Sequence, residues 1–364
     1  MGIVAYVWLL VGCAEEFPPE DDGLEHVSLG TVTTDADGRV ELEVDVSDTA
    51  VSALLHCGPY GFDRLARVTR LVAPDGVVVA DEGVENPSFR SDAQADHLRL
   101  LLPWTPEVPI AAGTWVATVT TDAPSTSLTC GVVTRVDAAA DAATLDLRVV
   151  FVGADAVLPG LNAVGGEETL ADVLDALRSL WAPAGLTLGA VVWEDYAGDR
   201  ASHAVVEDEA ELGALLRSTP ADIGRSVPVF VVESILDGAG ASVSSTSAGA
   251  PGAPTVGGTS ASGVAIAAGD VASDPDRVAR AIAHEVGHFL GLFDTSDRAG
   301  AVFDPLLDTP ECNPSSDADG NGALTADECV GKGADNVMWW ANSLGADTFT
   351  DDQAWVLRQA LVAR

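Results

Sequence analysis

The chain is poor in positive charge. Among 364 residues there are 18 lysines and arginines against 56 aspartates and glutamates, a net charge of −38, and Lys332 is the only lysine. Such a chain is repelled by nucleic acid and by anionic bilayers, so both are excluded as direct partners. Methionine is scarce too: Met338 is the only one after Met1. The apolar run at the start, "MGIVAYVWLLVGC", is too short to cross a bilayer as a helix. What remains is a globular composition, in a chain too long for one ordinary core, so two domains are expected.

The opening run does suit the core of a signal peptide. Its end, Leu10, Val11, Gly12 and Cys13, resembles the lipobox of bacterial lipoproteins, although no Lys or Arg precedes it. That resemblance implies export, lipidation of Cys13, and anchorage to the cell envelope or release outside the cell. Membrane contact would then run through the lipid alone. Residues 14–26, "AEEFPPEDDGLEH", read as an acidic tether. With Cys13 taken by lipid, Cys57, Cys130, Cys312 and Cys329 remain, two in each half. An oxidising compartment would pair them as Cys57–Cys130 and Cys312–Cys329, while the other two connectivities stay open.

Residues 27–136 alternate apolar and polar in "RVELEVDV", "HLRLLLP" and "GTWVATVTT", with turn residues between the runs. This predicts an antiparallel β-sandwich. His26, His56 and His97 lie scattered in it without ligand spacing and read as ordinary residues. A linker is expected at 137–144, and from 145 onwards strands alternate with helices. Leu170, Val173, Leu174, Leu177 and Trp181 recur at helical spacing, and the apolar strands "TLDLRVVFV", "VPVFVVES" and "VAIAAG" surround two such helices. The small-residue run between Asp237 and Val264 fits either a linker or a loop on the rim of a cleft.

The stretch "AHEVGHFLGLFDTSD" carries the chemistry. Ser273, Asp274, Pro275 and Asp276 start a helix on which His284 and His288, four apart, share one face and can grip one ion. Glu285 stands beside them, placed to act as a general base on water activated by that ion. Gly291 allows the chain to turn back sharply, which returns Asp294 towards the ion as a third ligand. Asp297 is a reserve candidate for that place and His203 a remote one.

The pattern H-E-x-x-H-x-x-G-x-x-D resembles the zinc-binding motif of the metzincin metallopeptidases. Its wording is most similar to the pappalysin-like branch, which normally has His where this chain has Asp294; in that respect it is snapalysin-like. Met338 in "DNVMWW" matches the Met-turn of the same superfamily, with Trp339 and Trp340 where some members carry a tyrosine. The resemblance covers residues 145–364. It implies an α+β catalytic domain: a twisted mixed sheet, an active-site helix, the Met-turn below the metal, and a C-terminal helix. For that last helix Thr350 and Gln353 offer a capping box.

Residues 317–328, "DADGNGALTADE", match a twelve-residue calcium loop, with Asp317, Asp319, Asn321, the Ala323 carbonyl and Glu328 as ligands. The whole predicts a zinc-dependent endopeptidase on a protein or peptide substrate, with zinc and calcium as cofactors. The competing reading is a non-catalytic surface module, a decayed metzincin fold that binds a glycan or protein; the intact Glu285 argues against it.

Overall fold

The computed structural model describes residues 23–58, 64–81, 94–137, 141–343 and 345–364. Cys13 and residues 14–22 of the expected tether lie outside the described residues.

The first half is built from β1 (Leu24–Thr33), β2 (Arg39–Val46), β3 (Ser52–Cys57), β4 (Leu65–Val72), β5 (Val78–Asp81), β6 (Gln94–Ala95), β7 (Leu98–Leu102), β8 (Gly113–Thr121) and β9 (Ser127–Arg135). They form two antiparallel sheets, β1-β9-β3-β7 and β2-β8-β4-β5, with β6 beside β4. Alternation does the work in β2, where Leu42, Val44 and Val46 are buried and Glu41, Glu43 and Asp45 face solvent. Those apolar side chains meet Leu55, Leu100 and Val132 of the opposite sheet in one core. Cys57 pairs with Cys130 across β3 and β9, in ladder register.

Two expected boundaries move. Leu24, Glu25 and His26, assigned to the tether, already pair with Arg135, Thr134 and Val133 in β1. At the far end Asp137, assigned to the linker, is held by ion pairs to Arg135 and Arg225. Simple alternation also fails in β7, which is buried from end to end. Leu98, Leu100 and Leu102 face the sandwich core, whereas Leu101 joins Leu54, Val133 and Leu361 in a second cluster. Both faces of this sheet are therefore covered, the outer one by the second half of the chain.

That half contains β10 (Ala143–Val152), α1 (Gly166–Thr169), α2 (Ala171–Trp181), β11 (Leu186–Asp195), β12 (Val205–Val206), α3 (Glu209–Leu216), β13 (Ser226–Val232), β14 (Ser234–Leu236), β15 (Ser242–Val243), β16 (Ser245–Ser247), β17 (Val264–Ala267), α4 (Pro275–Phe289) and α5 (Asp351–Gln359). Its main sheet runs β11-β10-β13-β17-β16; the first four strands are parallel and β16 is antiparallel, so the sheet is mixed. Strand β10 shows how it is covered. Leu147, Val149 and Phe151 pack with α2, α4 and α5 on one side, and Val150 and Val152 with Leu212, Leu215 and Leu216 of α3 on the other. Parallel strands buried on both faces read as continuous apolar runs, which is why this segment is so plainly legible.

Cys312 and Cys329 form the second disulfide, 17 residues apart. Closing a loop of that size removes roughly 3 kcal/mol of freedom from the unfolded chain. Two such bonds belong to an oxidising, extracytoplasmic compartment. Among the described residues no helix is long and apolar enough to cross a membrane.

Candidate metal centre

Helix α4 begins on the Asp274 side chain, which accepts from the Arg277 N–H at 3.0 Å, with Pro275 in the first turn. Its apolar stripe of Val278, Ile282, Val286 and Phe289 is buried against the sheet. That fixes the rotation of the helix and turns His284 and His288 to the opposite side. The chain leaves at Gly291, whose φ of +109° suits glycine, and there a side chain would also strike Leu101 of β7. The turn carries Asp294 back over the helix.

His284, His288 and Asp294 each offer a ligand atom, all within 4.8 Å of one another. The two Nε2 atoms lie 3.0 Å apart, and Asp294 Oδ1 lies 3.6 Å and 3.4 Å from them. Four-coordinate zinc with ligand bonds of about 2.0–2.1 Å needs ligand atoms roughly 3.3–3.4 Å apart. The three separations bracket that value.

Tautomers sharpen the point. His284 Nδ1 is 2.9 Å from the Val337 carbonyl and His288 Nδ1 is 2.9 Å from the Leu292 carbonyl. A carbonyl only accepts, so both Nδ1 atoms carry the proton and both Nε2 lone pairs face each other. Two bare lone pairs at 3.0 Å repel unless a positive charge sits between them. Burial disfavours a charged His288, yet the hydrogen bond to Asp294 and the charges of Asp294 and Glu285 outweigh it and raise the group to about 9. Both Nε2 atoms and Asp294 Oδ1 thus converge on one point that favours positive charge, and a metal ion can supply it.

Glu285 is 6% exposed, and its Oε1 accepts from Ser245 Oγ at 2.9 Å. Ser245 is on the edge strand β16, paired with Ile266. The cleft above the helix is lined by Ser245, Thr246, Ser247, Gly249 and Ala250 on one wall and by Glu285, His288, Phe293 and Asp294 on the floor. The small-residue run is accordingly a cleft rim and not a linker.

Met338 is fully buried below the site, in contact with Gly287, where any side chain would collide with its sulfur. Its N–H donates to Asn336 Oδ1 at 2.8 Å, and Asn336 Nδ2 donates to Gln353 Oε1 at 2.7 Å. Gln353 is itself half of the capping box with Thr350 that starts α5. The turn under the histidines is thereby tied to the C-terminal helix.

The reserve ligands are elsewhere. Asp297 accepts from the N–H groups of Ala301 and Val302 within its own turn, and His203 packs edge-on against Tyr196. His56 and His97 stack on each other in the sandwich. Asp317, Asp319 and Glu328 do converge, also within 4.8 Å, in a loop where Asp317 accepts from the Gly320 and Gly322 N–H groups. Only a short turn at Pro314–Ser316 precedes it, and Cys312, Leu324, Cys329 and Trp339 form a small core beneath. Ser245, Asn336 and the rim contacts were not legible from residue type. Serine and asparagine are too common, and nothing local distinguishes these from their neighbours.

His284, His288 and Asp294 thus form a donor set of the two-histidine, one-carboxylate kind, able to hold a metal ion. No family model and no curated protein matches the chain. Among solved structures it is similar to mirolysin in complex with compound 9, at 14% identity and a TM-score of 0.39, over 60% of this chain and 91% of that one. It is also similar to metalloproteinase-II from Bacteroides fragilis, at 13% identity and a TM-score of 0.30, over 56% and 55% of the two chains. A chaperone–substrate complex follows at 14% identity and a TM-score of 0.31, over 62% and 35%. The functional reading rests on the residues themselves.

Proposed function

We propose that the chain is a zinc-dependent endopeptidase of the metzincin type, with His284, His288 and Asp294 holding the metal and Glu285 as general base. The observation that carries the reading is the convergence of those three ligand atoms beside a buried Glu285 whose carboxylate is held by Ser245. Zinc, when bound, supplies a Lewis acid that polarises a substrate carbonyl and makes a neighbouring water more acidic. Glu285 takes the proton of the attacking water and returns it to the leaving amine. Ser245 Oγ holds one oxygen of the carboxylate, and Glu285 lines the cleft. Small side chains on the rim let a substrate backbone come close, and Phe293 closes the floor. The intact Glu285, seated and hydrogen-bonded, speaks against a purely binding role.

Calcium would be held in the loop of Asp317, Asp319, Asn321, the Ala323 carbonyl and Glu328, a set of hard oxygen ligands alternating around a turn. It would staple the segment that leads into Met338. A melting temperature that calcium and its chelation leave unmoved would rule this out. Export with a lipid anchor at Cys13 completes the proposal and puts the enzyme where its disulfides persist.

The test of the main reading is removal of zinc with a chelator. Cleavage of an unfolded protein such as casein should stop and return with one equivalent of zinc. Cleavage that continues in metal-free protein would overturn it.

A further inference from the structure

The rim of the cleft is held from behind, and the residues that hold it belong to the sandwich. Arg99, on β7, is 5% exposed. Its Nε donates to the Pro251 carbonyl at 2.9 Å and its Nη2 to the Ala248 carbonyl at 3.2 Å, while its Nη1 donates to the His97 carbonyl at 3.2 Å. The two distant acceptors flank Gly249 and Ala250, which line the cleft on their other side. Three residues before Arg99, Asp96 is 4% exposed and adopts a left-handed backbone, φ +59°, rare outside glycine. Its carboxylate accepts from Arg217 Nη2 at 2.7 Å and from Ser260 Oγ, further along the same small-residue run. Gly291, where the chain turns to deliver Asp294, packs on Leu101 of the same strand.

One short sandwich segment therefore grips the rim run at Ala248, Pro251 and Ser260 and abuts the turn after the motif helix. The rim needs such a grip. Its sequence is Gly, Ala and Ser with few side chains able to anchor it, and a chain of that composition wanders unless its carbonyls are fixed. Guanidinium suits the task, because its planar fork reaches several carbonyls at once from one rigid position.

We propose that Arg99 and Asp96 are positioning residues for the substrate cleft: the sandwich sets the shape of the rim against which substrate lies. This rests on the peptidase reading for its substrate, but the grip itself can be measured without activity. The hydrogen bonds that Arg99 and Asp96 make to the rim go to Ala248, Pro251 and Ser260 and not to the metal ligands or Glu285, so the metal and the proton transfer should survive their loss.

The experiment uses the full chain loaded with zinc, comparing wild type with Arg99→Ala, Arg99→Lys and Asp96→Asn. Amide hydrogen exchange reports the rim directly. In Arg99→Ala the peptides covering residues 245–251 should exchange faster while those of α4 and β13 stay protected, and zinc content should stay at the wild-type level. With a quenched-fluorescent peptide as substrate, KM should rise about tenfold with kcat nearly unchanged, as expected for lost ground-state placement. Arg99→Lys, which keeps charge and one donor, should recover part of the loss. Asp96→Asn, which keeps the shape, should loosen the rim near Ser260 and serves if Arg99→Ala does not fold. Unchanged exchange at the rim, or looser exchange with KM unmoved, would overturn the proposal. So would a fall in kcat and zinc content together, which marks general destabilisation. Wild-type protein that binds zinc and cleaves no peptide would instead sink the peptidase reading, leaving the exchange arm to decide whether the sandwich holds the rim.

Discussion

At the scale of the residue, the account turns on Asp294. An oxygen ligand would leave a bound metal less positive than a third imidazole would, and Asp294 Oδ1 lies 3.4 Å and 3.6 Å from the histidine nitrogens, near enough to share one ion with them. Asp294→Ala should lower zinc affinity by more than about a hundredfold at neutral pH, beyond the usual cost of losing an outer hydrogen-bond partner; dialysis with a zinc indicator measures it. The same residue governs how the metal-stripped protein responds to pH. His288 is raised to about 9, so its pairing with Asp294 contributes stability that is complete below its ordinary value of 6.5 and lost as pH climbs through about 9. Urea midpoints of metal-stripped protein should fall across that window, and Asp294→Asn should flatten the slope. His284, Glu285, His288 and Asp294 were all legible in the sequence because spacing on a helix and a glycine turn leave little choice about where they point. Ser245 was not, because a serine in a run of serines acquires its meaning from an edge strand that pairs only in three dimensions.

At the scale of the element, the turn at Met338 shows how packing supports the two histidines. The Val337 carbonyl accepts a hydrogen bond from His284 Nδ1, Met338 fills the space under Gly287, and Asn336 joins the turn to Gln353 of α5. Asn336 is 2% exposed and Gln353 fully buried, so Asn336→Ala strands a buried amide. The cost should be about 1–3 kcal/mol, read from denaturant midpoints. Zinc affinity should fall with it, since the turn that orients His284 is loosened. Strands β10, β13 and β17 of the main sheet and the helices α2 and α4 were visible in advance for a simple reason: apolar runs and 3.6-residue stripes reflect burial on defined faces. The turn from Asn336 to Met338 was visible only through its methionine. The asparagine that ties it down carries no pattern, and its partner is 17 residues away.

At the scale of the whole molecule, the two halves share more than a tether. Leu54, Leu101 and Val133 from the sandwich pack on Leu361, and Arg135, 1% exposed, donates to the carbonyls of Arg358 and Ala360 at 2.7 Å and 3.1 Å. Arg225 reaches from the second half to Asp137 at 2.8 Å. Residues 141–364 produced alone would expose that apolar face and leave the C-terminal carbonyls without Arg135. They should aggregate or melt well below the intact chain in a thermal scan; equal melting would show the halves to be independent. Sequence patterning announced a sandwich and a mixed α and β half. Only one hint of their union was present, the successive Leu100, Leu101 and Leu102 of β7, which suit a strand covered on both sides.

The measurement that bears most directly on the central claim compares wild type with Glu285→Gln, each carrying one zinc per chain, on the same unfolded protein substrate. The account predicts equal zinc content and a loss of cleavage of at least about a hundredfold in the variant, the scale of a missing general base. Equal cleavage by the two proteins, or none by either with zinc in place, would contradict it.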